Sequence, residues 1–267
     1  MILEGRCLQR PLLSVSTDSA QLFDYVLRLG DNDLILSQRL AEWCGHGPVL
    51  EEDLAQTNVA LDLLGQAQLW FEYAGRVENE GRDADQLAFL RDAHEFRNIL
   101  LVEQENGDYA HTIVRQFYFD VWHFLLLEAL QSSANQSIRE ISDKSLKEVR
   151  YHLDRSAGWV VRLGDGTEES HTRMERAINA LWPLTGEMFE MDAVDTGMVE
   201  QRIGCDLRML RDPWLSQVSK TLKEATLKLP AECWMQRGGK RGIHSERLGY
   251  ILAEMQFLQR AYPGAQW

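Results

Sequence analysis

The sequence predicts an all-α protein, a four-helix bundle with additional crossing and C-terminal helices. Three observations carry that expectation. Apolar residues recur at i, i+3, i+4 and i+7 over long segments. Turns that stop helices, such as GHGP at 45–48 and LGDGT at 163–167, separate those segments. No stretch holds the strict apolar–polar alternation of a half-buried strand, so helices stacked around one core are the architecture the pattern supports.

The first helix follows Leu22, Val26, Leu29, Leu36, Leu40 and Trp43 and stops at GHGP. The second begins near Val49, where acidic residues at 51–53 meet the positive end of the helix dipole, and is read through Leu54, Leu61, Leu64 and Phe71. The two are expected to form an antiparallel hairpin. After the polar run ENEGRDAD, Leu87, Phe89 and Leu90 and then Ile99, Leu100 and Leu101 suggest short helical pieces crossing the bundle end. Ile113, Phe117, Val121, Phe124 and Leu127 mark the third long helix, and Ile138, Leu146, Val149, Leu153 and Val160 the fourth, ending at LGDGT. Beyond them lie a helix through Met174, Ile178, Leu181, Met188 and Phe189, one that Asp212 caps with Pro213 in its first turn, and a last one through Leu248, Leu252, Met255 and Leu258.

A chain of 267 residues can bury a substantial core, and residues 21–267 are expected to form one domain after an N-terminal extension at 1–20. Against 28 basic residues stand 41 acidic ones, a formal charge of -13 that repels a phosphate backbone and argues against nucleic acid as a partner. Cysteines 7, 44, 205 and 233 form no C-x-x-C pair and read as free thiols of a reducing compartment. No uninterrupted apolar run is long enough for a signal core or a membrane span, so a cytoplasmic location is expected.

The segment YFDVWHFLLLEAL, 118–130, sets Asp120 and His123 three residues apart in an apolar helix, and KEVRYHLDR adds Glu148 and His152 on the next. Helical bundles with inward carboxylates and histidines include the ferritin-like fold. Its di-iron form needs one carboxylate from each of two helices and a carboxylate–histidine pair at i, i+3 from each of the other two. Asp120 lies on the apolar face and is placed to ligate. His152 has Val149 three residues before it, and Glu148 is a full turn away. Helix two offers Asn58, Leu61 and Asp62 and no histidine; helix one offers Gln38 and Glu42. Glu42, Asp62, Asp120, His123, Glu148 and His152 are therefore candidates for a vestigial site, too few and misplaced for two irons. A reading without metal is a buried Asp120 whose lone pairs the two imidazoles satisfy, with Glu148 and His152 as an i, i+4 pair on a solvated flank. His94 and His111 read as surface histidines. The loop QRGGKRGIHSE, 236–246, gathers Arg237, Lys240 and Arg241 among glycines, a place for a CoA phosphate, an acidic patch of another subunit, or only solvent. Trp234 and Trp267 are the tryptophans easiest to expose to a partner.

Four long strings carry more than a bundle: LRLGDNDLILSQRLAEWCGHGPVLEEDLAQTNVALDLLGQA, FRNILLVEQENGDYAHTIVRQFYFDVWH, KEVRYHLDRSAGWVVRLGDGT and GGKRGIHSERLGYILAEMQFLQRAYPGAQW. From about Phe23 onward they resemble the structural-subunit branch of the bacterial phenylacetyl-CoA epoxidases. The resemblance implies a ferritin-like chain without a cofactor of its own. Its partners would be a related catalytic subunit holding di-iron, a further small subunit, and a reductase supplying electrons from NADPH through FAD and an iron–sulfur centre; a homodimer is a further assembly it allows. Two other functions fit the residues: an oxygenase subunit with a noncanonical metal site, and a free-standing helical module that binds a CoA ester.

Overall fold

The structure, a computed structural model, describes residues 17–265. Two long hairpins make the bundle: α1 (Thr17–Ala41) with α2 (Leu50–Glu78), and α4 (Tyr109–Leu130) with α5 (Gln136–Gly164). α2 and α5 run antiparallel, since Glu52 meets Arg155, Gln66 meets Glu148 and Tyr73 meets Asn135 in order. α6 (Glu168–Leu181) and α8 (Arg211–Glu224) lie across α4 and α5, and α7 (Ala193–Glu200) packs on α1. α3 (Ala84–Phe89) closes the end of α2, and α9 (Glu246–Met255) with α10 (Phe257–Ala261) finishes the described chain against α1. Every regular element among the described residues is helical. The first helix already begins at Thr17, inside the expected extension; the rest of that extension, with Cys7, and Trp267 lie outside the described residues.

Local chemistry accounts for the ends. Asp108 and Asn135 cap α4 and α5 by accepting the amides of His111 and Ile138. Several expectations need correction. Pro183 stops α6, and Met188 and Phe189 sit in a 3-10 turn instead of on that helix. Asp212 lies inside the first turn of α8, whose cap position is Leu210. Ile99–Leu101 are buried in a turn, not a helix. Gln256 breaks the last helix into α9 and α10 and leaves Leu258 exposed.

α1 is the central rod. From Tyr25 to Leu40 nearly every residue is buried, as in a helix surrounded on all sides. On α2 the expected core face is the wrong one: Leu54 and Leu61 are 56% and 59% exposed, while Val59, Leu63, Ala67, Trp70 and Ala74 face inward. α2 carries two apolar stripes, and helical period alone cannot say which one the neighbours cover.

Candidate functional site

The middle of the bundle holds a buried polar cluster built from all four long helices. Asp33 completes the inward stripe of α1, between Leu29 and Leu36, and is 1% exposed. Neither of its carboxyl oxygens has a hydrogen-bond partner. Nε2 of His123, on α4, stands 3.6 Å from its Oδ1. The indole of Trp70 (α2) is near enough to offset part of the burial cost but makes no well-aligned bond. Burial, reinforced by the Glu148 charge, pushes the Asp33 carboxyl well above the usual carboxylate range. Desolvation drives His123 the other way, down to about 3, with repulsion from His152 adding to it. The pair is thus an acid that keeps its proton beside an imidazole that refuses one.

Asp120 is fully buried one turn below. It accepts from Gln116 Nε2 at 2.6 Å and from Ser156 Oγ at 2.7 Å. Burial raises it to about 6, and His152, Ser156 and Gln116 hold it from rising further. Its donors are an amide and a hydroxyl, so the expectation of two imidazoles on this carboxylate is corrected. The surface-flank reading of Glu148 and His152 fails as well. His152 is 1% exposed, and both residues turn toward α2: His152 Nε2 lies 3.0 Å from Asp62 Oδ2, and Glu148 accepts from Gln66 Nε2 at 2.8 Å. Glu42 is outside the cluster, at the end of α1, where it binds Arg39 and Asn106.

Among the described residues no three His, Cys, Asp or Glu side chains converge so as to hold a metal ion. The donor set does not fit a di-iron centre. Such a centre needs carboxylates free to bridge, whereas Asp120, Glu148 and Asp62 each already engage a protein donor, and α2 presents Gln66 toward Glu148. Sequence reading missed Asp33, Gln66, Trp70, Gln116 and Ser156. For Asp33 the signal was present, since it falls in register with Leu22, Val26, Leu29, Leu36 and Leu40.

Similarity to known proteins bears on what this cluster descends from. A family model described as "Phenylacetic acid catabolic protein" matches residues 12–267. The chain belongs to that family. Its match begins ahead of Phe23 and takes in part of the expected N-terminal extension. Within the family, the chain is 52% identical over 247 residues to the C component of the 1,2-phenylacetyl-CoA epoxidase of Escherichia coli (strain K12), covering 92% of this chain and 99% of that protein.

The basic loop is a clamp in this family member. Lys240 Nζ binds Asp195 Oδ2 at 2.6 Å and the carbonyl of Glu190 at 2.7 Å, and Arg237 reaches Glu190 at 3.3 Å. Glu187 accepts the amides of Leu100, Gly238 and Lys240. Glu103 accepts from Asn98 and the Ser245 amide and lies 2.8 Å from His244. Arg241, exposed and outside these bonds, is the loop cation left to meet an anion. Of the remaining histidines, His94 is exposed, and His111 is half-buried and lowered by burial and then by Arg115. Cys44 and Cys233 are exposed thiols; burial and then Asp195 push Cys205 up to about 12. Trp234 is 76% exposed. Among the described residues no helix is long and apolar enough to cross a membrane.

Proposed function

We propose that this chain is the non-catalytic structural subunit of a multicomponent epoxidase that acts on the aromatic ring of phenylacetyl-CoA, holding the subunit that carries the di-iron centre. The E. coli relative is itself a subunit of such an enzyme, and near-complete coverage at 52% identity favours the same place for this chain. One observation carries the non-catalytic part: the bundle's inward carboxylates are spent on protein donors or held as the neutral acid, and α2 supplies no histidine. Iron, flavin and iron–sulfur chemistry then belong to the other components of the complex, with NADPH as electron source.

The test is iron content and turnover. After anaerobic iron loading the purified chain is expected to retain no stoichiometric iron, and two tightly held irons per chain would defeat the proposal. Asp120→Asn, which keeps the size of the side chain, is expected to leave turnover of the reconstituted complex unchanged. Lost turnover with assembly and folding intact would move this chain to the catalytic side.

A further inference from the structure

The second apolar stripe of α2 is without a partner. Leu50, Leu54, Leu61 and Leu64 are 71%, 56%, 59% and 40% exposed, on a helix whose opposite face is fully packed. With Thr57 they fall at intervals of four, three, four and three residues. That 3.5-residue repeat is the seam of a helix meeting another helix at a shallow angle, and it extends over roughly 21 Å at 1.5 Å per residue. Gly65 continues the stripe, and Gly158 lies on the flanking face of α5; a methyl group at either would meet nothing within 4 Å. An exposed mid-helix glycine costs about 1 kcal/mol relative to alanine, a cost offset where a second backbone must come close.

Charge selects the occupant. α2 contains no Lys or Arg before Arg76, while Glu51 and Glu72 are exposed beside the stripe and Asp62 is half-exposed. A second copy docked antiparallel about Thr57 would set Leu50 against Leu64 and Leu54 against Leu61. It would also bring Glu51 level with the other copy's Asp62 at both ends of the seam, between two chains each of net charge -13. We infer that this face receives a helix of another subunit of the complex, one with an apolar seam flanked by Lys or Arg. The inference rests on the structural-subunit reading and assigns it a surface.

The experiment co-expresses the full chain with the other subunits of its epoxidase and measures mass and affinity after purification. Leu54→Glu with Leu61→Glu is expected to weaken association about 100-fold or more, since buried anchors dominate such contacts, while helicity and thermal midpoint stay at wild-type values. Tyr250→Glu, on exposed α9, is the control and is expected to associate normally. Should the double glutamate lower the midpoint, Leu54→Ser with Leu61→Ser repeats the test more gently. Glu51→Lys should weaken association severalfold and flatten its salt dependence. Unchanged association of the double variants, or tighter association of Glu51→Lys, overturns the inference and leaves the structural role standing. A wild-type homodimer that the same variants dissociate overturns the choice of occupant. If the wild-type chain binds none of the subunits, the structural role itself fails, a result distinguishable from the others.

Discussion

Two buried polar regions of this molecule use the same residue types to opposite ends. In the clamp that joins the 93–103 turn and the 237–245 loop to α1, every buried carboxylate has cations or amides around it. Asp31 is gripped by both terminal nitrogens of Arg91 and by the Arg97 amide. Asp195 is met by Arg28 and Lys240. Next to it, burial of Asp192 is outweighed by Arg28 and the Asp195 amide, which hold that carboxyl at about 2. In the bundle centre, equally buried, Asp33 has no hydrogen bond and His123 leaves Nδ1 unpaired. The clamp tolerates charge by pairing it; the centre tolerates the same residues by keeping them neutral. Polar atoms hold the architecture at the clamp and exceed its needs at the centre.

Removing one partner from the clamp should therefore give the largest loss. Arg91→Ala strands the fully buried Asp31 carboxylate and is expected to cost about 3–5 kcal/mol in denaturant unfolding. A loss under 1 kcal/mol would erase the contrast between the two regions.

The centre should reveal itself through pH. His123 titrates near 3 in the fold against about 6.5 unfolded, so its contribution is complete above pH 6.5 and is lost as pH falls below that. Asp120, raised to about 6 from about 3.9, has the opposite sign: its penalty is present at neutral pH and is relieved as pH falls from 6 toward 4. Asp33 shares that sign. In wild type the two trends nearly cancel between pH 6.5 and 4. His123→Gln removes one of them, and the variant should gain about 3 kcal/mol relative to wild type over that interval. Parallel stability curves for the two proteins would show that the centre does not titrate in this way.

How much of this was legible in the sequence differs between the two regions. Hairpins, caps and chain order follow from periodicity and from turns such as GHGP, and the all-helical bundle with them. The clamp was not legible, because Asp31–Arg91, Glu103–His244 and Lys240–Asp195 join residues far apart in the chain. A cluster of Arg and Lys among glycines looks the same in sequence whether it awaits an anion or already holds one. α2 misled for another reason: its outer leucines make as good a helical stripe as Val59, Leu63 and Trp70, and only the positions of α1 and α5 decide between them.

Backbone geometry gives the next effect. Gly242 closes the clamp loop at φ +73, and a methyl group there would lie 2.1 Å from the carbonyl oxygen of His94. Gly242→Ala meets both an unfavourable left-handed conformation and a backbone clash, and about 2 kcal/mol should be lost. Amide exchange should quicken first at Leu100, Gly238 and Ser245, whose N–H groups the loop's carboxylates hold. Global loss with no local change in exchange would mean that the loop and the bundle unfold together.

The smallest effect is expected where the residue looks most consequential. Asp33 is inward, acidic, 3.6 Å from a histidine and in register for a metal ligand. If it is held as the neutral acid, as burial dictates, Asn is its near-isostere, and Asp33→Asn should change stability at pH 7 by no more than about 0.5 kcal/mol, because no ion pair and no well-formed hydrogen bond is lost. Above neutrality the variant should become the more stable protein, since wild type alone then has a carboxyl that tends to ionise without a countercharge. A loss of 2 kcal/mol or more at pH 7 would mean that Asp33 is charged and compensated. The bundle centre would then be governed by the clamp's rule, and the balance of neutral groups on which its lack of metal chemistry rests would have to be abandoned.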